Sequence, residues 1–238
     1  MNAKRLLLRI ARCDNVVSHF NGKDTPCSKI IKSQNIYTIR DIQVPEPWRG
    51  AIDSAPILFI SSNPSWNPDD DSPKGALPDG LIQDYYNTGF PDVFPKVRLK
   101  DGSPGKDFVK FWSMIRAHAA ELLSSSPREV TPGRDFAISE VVHCKSRKEY
   151  GVSDCVRECT KKYLEDLLTL SAARIIMVLG DVTMDALKLD KESMPLKKEW
   201  FGKTRYIVWL PHPNAWTARK LSSIYSKKQL KEMREFLL

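Results

Sequence analysis

Arg205-Tyr206-Ile207-Val208-Trp209-Leu210-Pro211-His212-Pro213-Asn214-Ala215-Trp216 is the stretch whose reading decides the fold. Its first half is a run of β-branched and aromatic residues, the pattern of a buried strand. Two prolines then close on a histidine. Proline fixes its own φ and drives the residue before it away from helix. His212 is therefore expected in a stiff, extended turn at a strand end. In α/β sheets, ligands bind at the C-terminal ends of strands. A simple strand-ending turn, with the histidine capping a backbone group, would use the same residues.

Three further stretches repeat the arrangement. Pro56-Ile57-Leu58-Phe59-Ile60 is fully apolar, as a central parallel strand is, and it runs into Ser61-Ser62-Asn63-Pro64-Ser65-Trp66-Asn67-Pro68. Asn, Ser and Pro at that density predict a turn with exposed side chains and free amides. Asp135 to Val142 predicts a second strand, leading to His143-Cys144-Lys145-Ser146-Arg147. Arg174 to Leu179 predicts a third, turned by Gly180-Asp181 into a helix over Val182 to Leu189. Helical spacing marks Phe108 to Leu123 and Val152 to Leu170, and Ser222 to Leu238 reads as a basic amphipathic helix. Strands alternating with helices argue for a parallel sheet covered on both faces. The expectation is an α/β fold, three-layer α/β/α, with a central four-stranded parallel sheet. One domain would span 1–238, with 1–55 as a helical and irregular N-terminal extension. One mouth would then collect Asn63, Glu140, Gly180 and His212.

The remaining segments carry weaker signals. The first twelve residues, basic and leucine-rich, read as a short amphipathic helix, because Arg9 and Arg12 interrupt the apolar region of any signal peptide. Residues 14–55 look irregular. Asp69 to Asp71 are adjacent acids in a Pro-rich loop, a pattern more often solvated than metal-binding. Residues 72–106 form a long loop holding Tyr85, Tyr86, Phe90 and Phe94, aromatics that would either stack on a base or plug the core.

The totals set outer limits. The 238 residues are 42% hydrophobic, enough for a full core, and no apolar run approaches a membrane span. A cytoplasmic protein, nuclear if eukaryotic, is expected. The net charge of +8 favours a polyanionic partner. Five cysteines without a secretion signal argue against a disulfide framework and leave buried thiols or metal ligands.

Taken together, residues 56–219 resemble the uracil-DNA glycosylase superfamily. Ser61-Ser62-Asn63-Pro64-Ser65 is similar to the family's Gly-x-Asn-Pro-Gly loop, whose asparagine positions the attacking water. His212-Pro213-Asn214 is similar to its His-Pro-Ser loop, whose histidine stabilises charge on the departing base while the following residues enter the minor groove. Val141-Val142-His143-Cys144 resembles the Val-Val-Lys-Cys segment of the iron–sulfur branches. The resemblance implies one 4Fe-4S cluster on Cys13, Cys27, Cys144 and Cys159, with Cys155 as the alternative to Cys159. Zinc on the same thiols is a further option. The family's tight N-terminal Cys-x-x-Cys is absent.

The resemblance further implies hydrolysis of an N-glycosidic bond in damaged DNA, within base excision repair. The enzyme would be a monomer without membrane contact, removing uracil, hypoxanthine or a similar base. Asn63 and His212 would be catalytic. Ser62, Phe90 and Glu140 would bind the flipped base, with Tyr86 the alternative to Phe90. Ser65, Asn214, Trp216 and Arg219 would bind DNA, Trp216 as a wedge. Lys96, Arg98, Lys145, Arg147 and Lys203 are candidate backbone contacts. Serine replaces glycine at both ends of the first loop, and Glu140 stands where the family has its base-reading asparagine. An ionised glutamate only accepts hydrogen bonds and a protonated one donates once, so Glu140 would not read uracil in the usual way. A non-catalytic nucleic-acid-binding member of the fold is the competing expectation. The glycine and serine signatures of α/β-hydrolases, P-loop enzymes and Rossmann enzymes are missing.

Overall fold

Alternate residues of the strands face opposite sides of one sheet, and helices bury both sides. The structure, a computed structural model, describes residues 2–68, 72–87, 96–98, 104–213 and 220–238. In chain order the elements begin with α1 (Ala3–Ala11), α2 (Asp14–Phe20), α3 (Ser28–Lys32), β1 (Ile57–Ser61) and α4 (Asp79–Asn87). A small ribbon follows, β2 (Lys96–Arg98) with β3 (Pro104–Phe108), and then α5 (Lys110–Leu123), β4 (Phe136–Glu140) and α6 (Val152–Leu170). The chain closes with β5 (Ile175–Leu179), α7 (Asp181–Ala186), β6 (Leu196–Trp200), β7 (Lys203–Leu210) and α8 (Lys227–Leu237).

The sheet order is β4-β1-β5-β7-β6. The first four strands are parallel, in register Ile57 with Phe136 and Ile175, and Ile175 with Tyr206. Leu58, Ile60, Ile176, Val178 and Ile207 pack on one face with α1 and α6, through Leu6, Leu7, Ile10, Tyr163 and Leu167. Ile57, Phe59, Ile175, Met177 and Val208 pack on the other with α5 and α8, through Ile115, Ala119, Leu230 and Met233. Burial of about 2 kcal/mol per large apolar side chain makes this two-sided core the main source of stability.

Two expectations need correction. The sheet has five strands, not four, because β6 adds to β7 as an antiparallel edge. Its sequence Leu-Lys-Lys-Glu-Trp is charged because only one face is half-buried, and lysines suit an edge. Phe201 and Gly202, both at positive φ, form the two-residue hairpin loop between them. Residues 14–55, expected as irregular chain, hold α2 and α3. At the opposite edge, Arg49 exchanges backbone hydrogen bonds of 2.8 and 3.0 Å with Ile138 of β4. Among the described residues no helix is long and apolar enough to cross a membrane.

Candidate active site

The loops that leave β1 and β4 run side by side. Val141 and Val142 donate to the carbonyls of Ser61 and Ser62 at 2.9 and 3.0 Å. Ser146 then donates to Pro64 O at 3.1 Å, and Trp66 donates to Ser146 O at 3.1 Å. This ladder fixes Asn63 at the strand end. Its Nδ2 donates to Pro64 O at 2.8 Å and to Ser146 Oγ at 3.0 Å. With both amide protons engaged, the side-chain oxygen is the group left to accept a hydrogen bond from water. Ser62 is buried, and its hydroxyl donates to Glu149. Ser65 is exposed and bridges Ser146.

His212 follows β7, two strands from β1. Gly180, at φ +77°, lets the chain pass beneath it, and a Cβ there would sit 3.3 Å from the His212 Cβ. Phe111 of α5 packs against the imidazole at 5.8 Å between ring centroids. Burial lowers the His212 pKa, and the nearby Glu149 carboxylate offsets part of that effect. Glu149 therefore touches the first loop by hydrogen bond and the second by charge. It comes from Lys148-Glu149, two successive residues at positive φ just before α6. No sequence pattern marks such a turn, which is why Glu149 was absent from the expected site.

Glu140, the last residue of β4, is buried beside charges that come from elsewhere in the chain. Glu46 bonds Arg49 at 2.5 and 3.1 Å and Lys145 Nζ at 3.2 Å. Burial alone would raise the Glu46 pKa, but Arg49 and Lys145 outweigh it and hold the group down to about 2. Glu140 goes the other way. Burial first and the Glu46 charge second push it well above the usual carboxylate range, against partial opposition from Arg49 and Lys145. One of its oxygens finds no hydrogen-bond partner among the described residues, and neither does the hydroxyl of the fully buried Tyr86 beside it.

Two of the candidate backbone contacts are engaged within the protein. Lys145 is not on the surface: it is buried and reaches Ser72 and Glu46. Lys203 starts β7, at the far end of the sheet from the mouth, and donates to Thr169 O and Ser171 O at 3.0 and 2.7 Å. A cation there satisfies the last carbonyls of α6. Arg147 is exposed at the mouth with its guanidinium 4.6 Å over the Trp66 ring. Tyr86, the alternative base-stacking ring, is core. Phe90, Asn214, Trp216 and Arg219 lie outside the described residues.

All five cysteines are buried and outside any disulfide, in the apolar layer between α6 and the N-terminal helices. Their thiols sense one another. Hydrogen bonds from Cys144 first and Cys155 second pull Cys27 down to about 3, while the Cys27 contact and burial raise those two. Cys13 and Cys159 feel the Cys27 charge as well, though burial dominates both. Among the described residues no group of three or more His, Cys, Asp or Glu is placed to hold a single metal ion.

The surroundings of the sulfurs separate the two alternatives for the fourth ligand. N–H groups of Asn15 reach Cys13 and Cys27, and the His143 amide reaches Cys159. N–H donors of this kind stabilise thiolate sulfur. Cys155 donates to Gly151 O at 3.3 Å and Val152 O at 3.5 Å, and Cys13 likewise donates to Asp14 Oδ1 at 3.8 Å. The two candidates for the fourth ligand thus differ in their surroundings, the His143 amide facing Cys159 and backbone carbonyls facing Cys155. Where the anaerobically purified parent protein carries iron, as the resemblance implies, Cys144→Ala is expected to reduce it to background and to erase the visible absorbance. Cys155→Ala is expected to keep both. Iron retained in Cys144→Ala would remove that residue from the ligand set.

Compared with models of known protein families and with curated proteins, the chain matches none.

Proposed function

We propose that this protein is a monofunctional DNA glycosylase that hydrolyses the N-glycosidic bond of a deaminated base. The observation that carries the reading is the link that Glu149 makes between two strand-end loops. Asn63 follows β1, His212 follows β7, and Glu149 bridges them by its bond to Ser62 and its charge at His212. Base loss develops positive charge on the sugar and negative charge on the base. Asn63 orients the water through its free oxygen. His212, biased toward its neutral form by burial, donates to the base as negative charge builds there, which is stabilisation by a preorganised donor. The base would leave the stack to reach these loops. The net charge of +8 would favour the phosphate backbone.

Glu140 supplies a basis for selecting the base. A neutral carboxylic acid offers one acceptor and one donor side by side. Such a pair complements a ring N–H beside a carbonyl, the edge that uracil, hypoxanthine and xanthine share. The asparagine amide of the resembling family offers the same pair in another form. A cluster on Cys13, Cys27, Cys144 and Cys159 would supply structural cross-linking and no chemistry at the mouth.

The test is a panel of oligonucleotides carrying uracil, hypoxanthine, xanthine or alkylated bases, incubated with the protein and developed with alkali to cut abasic sites. Release from the deaminated bases is expected. Glu140→Gln, which preserves a donor and an acceptor, is expected to stay within about tenfold of the parent protein. Glu140→Ala is expected to lose roughly 10²-fold, as when buried polar recognition is left unpaired. The raised Glu140 pKa means the donor is present below that pKa and lost as pH rises through it. The parent's rate should therefore fall on the alkaline side, and Glu140→Gln should flatten that fall. Silence in every lane with DNA binding retained would replace this reading by a non-catalytic binding module.

A further inference from the structure

Asn63 leaves a gap in the chemistry. A carboxamide orients water but takes no proton from it near neutral pH. Hydrolysis releases that proton, so a neighbouring group has to receive it. His212 serves the base, and Glu140 lies buried among Glu46, Arg49 and Lys145. The loop after β4 brings another carboxylate. Its residue 146 bonds Asn63, and its residue 149 bonds Ser62.

We infer that Glu149 is the general base of the reaction, its carboxylate held at the water site by the Ser62 hydroxyl. The inference rests on the glycosylase reading above. The attacking water sits between the Asn63 oxygen and Glu149. Its oxygen bonds to the sugar C1′ as the bond from C1′ to the base nitrogen breaks. The electron pair of that bond leaves with the base, which His212 stabilises. The water's second proton passes to the Glu149 carboxylate, and the departing base takes up a proton from solvent.

Three features agree with this role. The Ser62 hydroxyl occupies Glu149 Oε1, which leaves the second oxygen for water. The negative charge lies close enough to His212 to oppose the effect of burial on its pKa. The same charge would favour a sugar that becomes positive in the transition state. The backbone supports it too. Lys148 and Glu149 hold φ of 50° and 59°, a region that side chains other than glycine and asparagine enter rarely. Conformations of this kind cluster at functional sites, where their cost is offset by what they position. Here the turn swings a carboxylate back over the strand ends.

The experiment is single-turnover base release, with enzyme in excess, on a lesion that the parent protein processes. Glu149→Gln keeps the shape and the Ser62 contact but cannot accept the proton. It is expected to slow the chemical step by about 10²-fold or more, with affinity for the lesion oligonucleotide within about threefold. Glu149→Asp should retain part of the rate. Glu149→Ala should be partly restored by added formate, and Glu149→Gln should not. Formate rescue is a response that a merely structural role would not give. Release by Glu149→Gln at the parent rate would overturn the assignment, and so would a loss confined to affinity. Both outcomes presuppose an active parent protein. A parent protein that releases no base from any lesion overturns the glycosylase reading itself, and this assignment with it.

Discussion

Replacing His212 with alanine is expected to slow base release by ~10²–10³-fold, the usual cost of deleting one preorganised donor at a developing negative charge. Affinity for lesion DNA should change far less, because the interaction strengthens only as the base departs. The structure gives the imidazole the setting this needs. Gly180 passes under it, Phe111 packs beside it, and burial lowers its pKa. Burial thus biases the ring toward its neutral form, whose one N–H would donate to the base. Asn63→Ala should cost a comparable factor, since a water without its acceptor spends less time in the attacking position. The loss in the double variant should be less than the product of the two, because on the proposed mechanism both residues serve one transition state. Single-turnover rates settle the matter. Parent-like rates in both single variants would show that base release occurs elsewhere on the molecule.

Replacing Arg49 with methionine is expected to cost about 3–5 kcal/mol of folding stability, the range for removing one partner of a buried ion pair. For a chain of this size the melting temperature would fall by roughly 6–20 °C. The reason is the company Arg49 keeps. Glu46 is buried and bonded twice to Arg49, and Glu140 lies within reach of the same charges. Without Arg49, Lys145 alone faces Glu46. Combining Arg49→Met with Glu46→Gln should recover part of the loss, because the unpaired carboxylate is then gone. The effect has a pH signature. Glu46 is depressed to about 2 in the folded protein, below its unfolded value of about 4.3. Its contribution is present above the unfolded value and is lost as pH falls toward 2. The gap between parent and Arg49→Met should therefore narrow below pH 4. A gap that is constant with pH would mean that packing, not charge, was removed.

The parallel sheet was legible because its strands are short apolar runs, each ending in a turn. Ile57 to Ile60 and Ile175 to Leu179 sit between covered faces, so both sides of the strand had to be hydrophobic. The placing of Asn63 and His212 just past β1 and β7 was legible for a related reason: a strand end fixes the place of the residue that follows it. β6 was not, since three of its five residues are charged and the apolar criterion passes over an edge strand. The ionic cluster was not legible either. Glu46, Arg49, Glu140 and Lys145 are scattered in sequence, and only the closeness of two loops brings them together. Lys145 illustrates the cost of reading charge as surface. A lysine in a basic chain suggests phosphate, but this one is spent inside on Glu46 and Ser72. Glu149 depends on a left-handed turn at residues with no special liking for one.

Arg49 also has a part to play in keeping molecules of this protein apart. Its backbone closes the outer hydrogen-bonding row of β4 at Ile138, and Gly133 donates to Phe136 on the same row. An uncovered strand edge is a template on which a second chain can extend the sheet. The ion pair with Glu46 pins the segment that does the covering. A charge pair inside the protein thus holds the cover of a strand edge in place. Loosening that pair is expected to bare the β4 edge ahead of the sheet, so that Arg49→Met protein would precipitate on warming before it lost its helical signal.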